Sequence, residues 1–262
     1  MSLWLSDQGR LLTLALGCAL LWSVESVVPL YRYETRRLWR ALPNVALTVL
    51  LVLTNLGLAF ATSGIANFTT SKSIGLFFLF TLPPWLAALL SIIALDLFTY
   101  LAHVLLHKSW LGWQFHRVHH SDREVNVTTA FRQHPGETLW RILWQVLAVG
   151  LFGIPLWVVI VYLMVSTLNA QLEHTNVRLN ERFDSALRLF FVTPNMHKVH
   201  HSRDQRQTDT NYSNIFSVWD RIFGTYTSIV DFRVLRYGLD GFDDQKKQTL
   251  PALLKLPFSV NA

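Results

Sequence analysis

Two segments far apart in the chain carry the same histidine pattern, and they constrain the fold because their side chains have reason to meet. Residues 103–120 read His103-Val104-Leu105-Leu106-His107, eight further residues, then His116-Arg117-Val118-His119-His120. The H-x-x-H-H pattern returns at His197, His200 and His201, and His134 and His174 lie between. These are the ten histidines of the chain, and none precedes residue 103. Spacings of i, i+3 and i+4 bring side chains to one face of a helix. Neutral imidazole is the commonest biological metal ligand and suits Fe, Zn, Cu and Ni. Ten such residues exceed the coordination of one ion with about four to six donors, so the pattern predicts a two-metal site. For His134 and His174, pattern alone leaves a ligand and an ordinary histidine equally open. Neighbours on a helix point about 100° apart, so His119 and His120 should serve different ions, as should His200 and His201. His103 and His107 share a face and should serve one.

Composition directs this site to a membrane. Of 262 residues, 51% are hydrophobic and only 15% charged, against about 25% charged for a soluble domain. The net charge is +6, but the basic residues form no nucleic-acid motif, and no nucleic-acid partner is expected. Positive charge beside a bilayer sets topology and meets anionic lipid. With Cys18 the one cysteine, there is no intramolecular disulfide and no thiolate metal site.

Residues 11–30 form a first apolar span interrupted by Glu25, a bundle-facing acid. It reads as uncleaved, because Asp7 offsets Arg10 and no A-x-A site follows. Residues 31–40 are polar and hold four arginines, and 42–62 form a second span, long enough for about 30 Å of hydrocarbon. Residues 63–73 read as a small polar loop. Residues 74–82 are apolar but short, Pro83-Pro84 supports a break, and 85–106 form the next span, which contains Asp96 and ends in the first histidine pair. Residues 138–171 are too long for one span and short for two, and read as a bent hairpin with its tip at Gly153-Ile154-Pro155.

The predicted fold is all-α: a polytopic membrane bundle of about four spans, one a bent hairpin, under a histidine-rich di-metal cap. One membrane domain, 1–262, divides into spans (1–107), a histidine segment (108–137), a membrane hairpin (138–174) and a C-terminal cap (175–262). The arginine loop at 31–40 is cytoplasmic by the positive-inside rule, which puts residues 103–120 on the cytoplasmic side. Convergence of the ligands independently requires 138–171 to enter and return.

The chain has no Glu-x-x-His pair of the bundle carboxylate type, Glu173 being directly before His174, and no H-E-x-x-H or G-x-S-x-G motif. An all-imidazole pair of metals suits oxygen chemistry, and ligand type leaves zinc hydrolysis open. A metal transporter would carry its ligands at mid-membrane depth, whereas these lie at span ends.

In combination these motifs resemble the fatty acid hydroxylase/sterol desaturase superfamily. The resemblance extends over about residues 40 to 230 and takes in Asp96-x3-Tyr100-x2-His103, the segment from Arg132 to Glu137 with its H-P-x-E, Gln171-Leu172-Glu173-His174, Asn211-Tyr212, and Trp219-Asp220-Arg221-Ile222-Phe223-Gly224-Thr225-Tyr226. It implies two iron ions that use O2 and two electrons to hydroxylate or desaturate a lipid C–H bond; zinc is an acceptable occupant of a purified sample. It implies a lipid substrate (sterol, fatty acyl, alkylglycerol or carotenoid) taken from the bilayer. It also implies a separate electron donor, a reductase, cytochrome or ferredoxin, since the chain has no reductase or haem-attachment motif. It raises His134 and His174 to metal-site residues. It divides the ligands into His103, His107, His116, His119 and His200 at one ion and His120, His174, His197 and His201 at the other, with His134 nearby as a fifth ligand or a supporting group. Asp96 is expected to hydrogen-bond a ligand imidazole; Arg132 and Asp220 are expected either to support ligands or to form local ion pairs. Trp110, Trp113 and Phe115 read as an interfacial aromatic belt.

Overall fold

The computed structural model describes residues 7–33, 36–228 and 232–259; of the segments proposed from sequence, 1–6, 34–35, 229–231 and 260–262 lie outside the described residues. Regular structure among the described residues is helical, apart from three isolated bridges. The long helices are α1 (Asp7–Val27), α2 (Arg37–Lys72), α3 (Pro84–Lys108), α5 (Pro135–Phe152) and α6 (Leu156–His174). The shorter α4 (Trp110–His120) and α8 (Pro194–His200) carry the two H-x-x-H-H motifs, and α7 (Glu181–Leu187) lies between α6 and α8.

Three stretches are long and apolar enough to cross a membrane: Arg37–Leu79, Pro84–Lys108 and Leu156–His174, with Leu11–Val27 a shorter apolar helix. Helix α5, the first arm of the bent hairpin, carries Glu137 and Arg141 in its first two turns. Helix α2 turns Leu42, Val45, Val49, Leu53, Leu56 and Phe60 outward, an apolar face suited to lipid.

The loop expected at 63–73 is instead the last turns of α2. Its small polar residues are helical, with hydroxyls turned back onto the preceding turn: Thr69 to the Ile65 carbonyl at 2.9 Å and Ser71 to that of Phe68 at 3.0 Å. The helix stops at Ser73, which takes the left-handed conformation (φ 52°) and returns its N–H to Thr69 and Thr70. Proline starts α3 at Pro84, as the double proline implies.

The apolar run at 138–171 is two helices broken at Gly153, whose φ is 73°. Both of the close turns here need glycine. A Cβ at Gly75 (φ 131°) would stand 2.4 Å from the Gly153 nitrogen, and one at Gly153 would stand 2.5 Å from the Ile74 carbonyl oxygen. This contact anchors the far end of the bundle, where Ala94, Leu95, Ala148, Val149, Ile154, Val158 and Val159 form the main core. At the opposite end α3 and α6 finish and α5 begins, each in a histidine or beside one. Glu25 ties α1 to this end by accepting from the Val127 and Asn176 amides at 2.7 and 2.8 Å and from Arg37.

Candidate metal centre

Nine of the ten histidines converge in two buried groups. One holds His103, His107, His116, His120 and His200, the other His119, His174, His197 and His201, and within each group the candidate ligand atoms lie within 4.8 Å of one another. In the second group the Nε2 atoms stand face to face. His174 is 3.1 Å from His119, 3.1 Å from His197 and 3.0 Å from His201, and His197 is 3.2 Å from His201. In the first group His116 Nε2 lies 3.0 Å from that of His103 and 3.2 Å from that of His120. The Nε2 atoms of His107 and His200 are buried without a hydrogen-bond partner.

Backbone carbonyls set the tautomers of His103, His174 and His200. Nδ1–H of His103 donates to the Tyr212 carbonyl, that of His200 to Thr210 and that of His174 to Ala170, at 2.7, 2.7 and 2.6 Å. His107 Nδ1 lies 3.3 Å from Asp209 and His116 Nδ1 3.0 Å from Glu137. A proton on Nδ1 leaves the Nε2 lone pair aimed inward. Converging lone pairs in a dry pocket repel unless a cation lies between them. Four nitrogens about 2.0–2.1 Å from one tetrahedral ion stand about 3.3 Å apart, close to the observed separations, so the residues fit metal. Burial first, and neighbouring imidazoles next, hold His116, His120, His197 and His201 well below the ordinary histidine pKa. Burial also leads for His119 and His200. All six are therefore neutral donors near pH 7.

The adjacent pairs divide between the groups, His119 from His120 and His200 from His201. The arrangement differs from expectation in one exchange, since His120 joins the first group and His119 the second. The reason is the placement of α6, which brings His174 Nε2 to His119 rather than to His120. His134 joins neither group. It is the N-cap of α5: its Nδ1 accepts from the Gly136 amide at 3.0 Å and its ring stacks on Phe115 at 5.1 Å.

Asp96 touches no imidazole, contrary to expectation. It accepts from the Ile215 and Phe216 amides, Trp219 Nε1 and the Tyr162 hydroxyl. A carboxylate that deep in a helix needs several donors, and the segment after Asn214 supplies them. Asp220 accepts from the Tyr212 and Ser213 amides and the Thr225 hydroxyl, which steadies the carbonyl that receives His103. Arg132 is fully buried and straps α4 from behind, donating to the Val118 carbonyl, Ser121, Asn44 and Gln248. Burial pulls its pKa down to about 10. Lys198 is also fully buried; its Nζ donates to the His174 and Thr175 carbonyls at 3.0 and 2.8 Å, capping the C-terminus of α6, and burial lowers its pKa to about 7. Trp113 packs on His107 and His120, and Phe115 on His134 and Phe258, so only Trp110, 76% exposed, keeps the belt position expected of all three.

Sequence reasoning passed over Glu137, Arg141, Glu173, Asp209 and Tyr212 as site residues. The signal for Glu137, Glu173 and Tyr212 was their place in the segments His134-Pro135-Gly136-Glu137, Gln171-Leu172-Glu173-His174 and Asn211-Tyr212; Arg141 and Asp209 are recognisable only once the chain is folded.

A cavity of about 210 Å³ opens between α5 and α6 and reaches His103, His119, His174 and His197. Its walls include Leu51, Ala102, Phe131, Ile142, Trp144 and Tyr162, interspersed with Asn55, Thr99, Arg141, Gln145, Ser166, Thr167 and Glu173.

A family model described as fatty acid hydroxylase matches residues 88–225. The chain belongs to the fatty acid hydroxylase family. That match takes in all ten histidines on one continuous stretch, from the span bearing His103 to the Trp219–Thr225 tail. Among curated members, ornithine lipid hydroxylase OlsE of Rhizobium tropici is 34% identical over 48% of this chain and 38% of its own length. Human alkylglycerol monooxygenase is 36% identical over 56% of this chain and 33% of its own length. Methylsterol monooxygenase 2-2 of Arabidopsis thaliana is 29% identical over 62% and 61%. The chain thus spans about a third to two-fifths of the length of the first two of these relatives. No solved structure matches.

Proposed function

We propose that this family member is an O2-dependent lipid hydroxylase with two iron ions, one held by His103, His107, His116, His120 and His200 and the other by His119, His174, His197 and His201. The observation that carries the reading is the cavity between α5 and α6, whose wall includes His103 of one histidine group and His119, His174 and His197 of the other. At about 210 Å³ it holds the reacting segment of a lipid rather than the whole molecule, the tail remaining in the bilayer. Its polar wall residues suit a C–H bond close to the lipid's polar group. Bound iron supplies O2 activation. In the net reaction one oxygen atom enters the C–H bond and the other leaves as water, with two electrons and two protons from a separate donor.

The chain's own residues orient and exclude. Tyr212, Thr210 and Ala170 fix imidazole tautomers through their carbonyls, while Trp144 and Tyr162 wall the cavity against water. The family relatives named hydroxylase or monooxygenase support hydroxylation over desaturation and over a zinc hydrolase. The histidine positions at helix ends speak against a transporter. On this reading residues 1–262 work as one membrane-embedded unit with the centre on the cytoplasmic side, as the arginine loop at 31–40 argues.

Lipid profiling of a deletion strain against its parent under ¹⁸O2 tests the activity. A lipid that gains one labelled oxygen only in the parent is expected. Identical lipid profiles overturn the reading. Zinc in an overexpressed sample does not bear on it, because divalent affinity does not report the native metal.

A further inference from the structure

Helix α3 sets a scale of depth. Its 25 residues extend about 37 Å, against about 30 Å of hydrocarbon, and Asp96 stands at its midpoint. Whichever stretch of α3 fills the bilayer, Asp96 lies about 10 Å or more inside either surface. Its carboxylate receives the Ile215 amide at 3.2 Å, the Phe216 amide at 3.0 Å and the Trp219 indole at 2.9 Å. The segment 215–219 therefore lies at that depth beside α3, and Ile215 belongs to the main core with Ala94, Leu95 and Val158. One turn nearer the histidines, Phe223 stacks on Tyr100 with ring centroids 5.3 Å apart. The run 187–192 packs against this segment, Val192 donating its amide to the Ile215 carbonyl and Ser217 to that of Phe190, both at 3.0 Å.

Two features of this pair of segments suit hydrocarbon. Leu189, Phe190, Phe191, Ile222 and Phe223 are exposed, and apolar side chains clustered on a surface mark an interaction site. The backbone that carries them is closed. The amides of Arg188, Leu189, Phe190 and Phe191 go to the carbonyls of Asp184, Ala186 and Leu187. Irregular backbone persists at membrane depth only where protein satisfies it in this way. The charges among these residues are held as well. Arg188 pairs with Asp184 at 2.8 Å and Glu181 at 2.6 Å, and Arg221 donates to the Ser217 carbonyl at 3.2 Å and lies over the Tyr226 ring.

We propose that residues 187–192 and 218–223 form a re-entrant wedge seated in the leaflet that holds the histidine end of α3, with lipid acyl chains as the partner of its apolar face. The inference rests on α3 crossing the bilayer and not on which metals the histidines hold. Part of the C-terminal cap thus sits among acyl chains rather than in water. Ser213 and Asn214, which lead into the wedge, line the cavity, so the wedge sets one cavity wall at acyl-chain depth.

Single cysteines are introduced by Phe190→Cys, Ile222→Cys, Leu53→Cys and Asp240→Cys in the full chain carrying Cys18→Ser. Each is labelled with bimane and reconstituted in phosphatidylcholine nanodiscs. Leu53 lies on the outward face of α2, and the Asp240 side chain is 94% exposed. Phosphatidylcholine spin-labelled in mid-chain should quench positions 190 and 222 as it quenches 53, and aqueous iodide should quench only 240. Iodide access at 190 and 222 equal to that at 240 overturns the proposal. Protection from both quenchers also overturns it, and marks a second copy of the chain on this face. Iodide access at 53 as well overturns the membrane reading of the bundle itself. Where a labelled variant does not fold, the wild-type protein is photolysed in nanodiscs whose phosphatidylcholine bears an acyl-chain diazirine. Adducts on the peptides holding 187–192 and 218–223 are expected, and adducts confined to the long helices overturn the proposal.

Discussion

Nδ1 of His116 lies 3.0 Å from Oε1 of Glu137, with both side chains fully buried. The same carboxylate oxygen accepts from Arg141, one turn further along α5, at 2.8–2.9 Å. The contact joins the first turn of α5 to the middle of the histidine helix α4. The carboxylate stands beside the outer nitrogen of the imidazole, whose Nε2 faces His103 and His120.

Removing that charge should loosen one metal and spare the other. Glu137→Gln is expected to weaken binding at the five-histidine group by about 10- to 100-fold. Chelator competition measures this, and equal weakening of both ions would contradict the assigned relationship.

The exchange of His119 and His120 between groups is directly testable. His119→Ala should deplete the ion of the four-histidine group and His120→Ala that of the five-histidine group, each leaving about one ion per chain. Turnover should be abolished in both, as in His200→Ala. Metal analysis of the folded variants, with double variants inside one group as reference, decides it. The groups are assigned wrongly if His119→Ala combined with His174→Ala strips both ions.

His134 should behave as a cap. His134→Ala is expected to cost about 0.5–2 kcal/mol, a fall of a few degrees in melting temperature, with full metal content. Loss of an ion in this variant would make it a ligand after all.

Acid should destabilise the metal-free protein. His116, His119, His120, His197, His200 and His201 are buried and held well below the ordinary value, whereas in the unfolded chain each takes a proton near pH 6.5. Below that pH the unfolded state binds more protons, so stability is present above pH 6.5 and declines as pH falls, by at most about 1.4 kcal/mol per pH unit for each histidine. Thermal melts of chelated protein between pH 8 and 5 check the sign, and a flat profile would be incompatible with neutral buried imidazoles.

Filling the cavity should stop catalysis without touching the metals. Thr167 lines it from α6, and Thr167→Trp is expected to abolish or strongly reduce turnover while metal content stays at the wild-type level. Undiminished activity would mean that substrate arrives by another route.

Much of the architecture is legible in one dimension because its determinants are local. Apolar stretches of bilayer length, Pro83-Pro84 and Gly153-Ile154-Pro155 act through solvation and backbone sterics, which depend on neighbours in sequence. The helical angle between adjacent residues likewise suffices to separate His119 from His120, and His200 from His201. The sequence misled at 63–73, where small polar residues that read as a loop form the last turns of α2 with hydroxyls turned back onto their own helix.

The tertiary structure alone decided which imidazole of each pair goes where, because that depends on the approach of α6 and α8 to α4, a matter of packing between segments up to 80 or so residues apart. It alone turned His134 into a helix cap, Asp96 into an anchor for the loop after Asn214, and Arg132 into a strap behind α4. A polar side chain in a dry interior bonds whatever donor or acceptor the fold brings within reach, and a linear pattern does not contain that distance. For the same reason Glu137 and Glu173 stand against the two histidine groups only when α5 and α6 are folded into place.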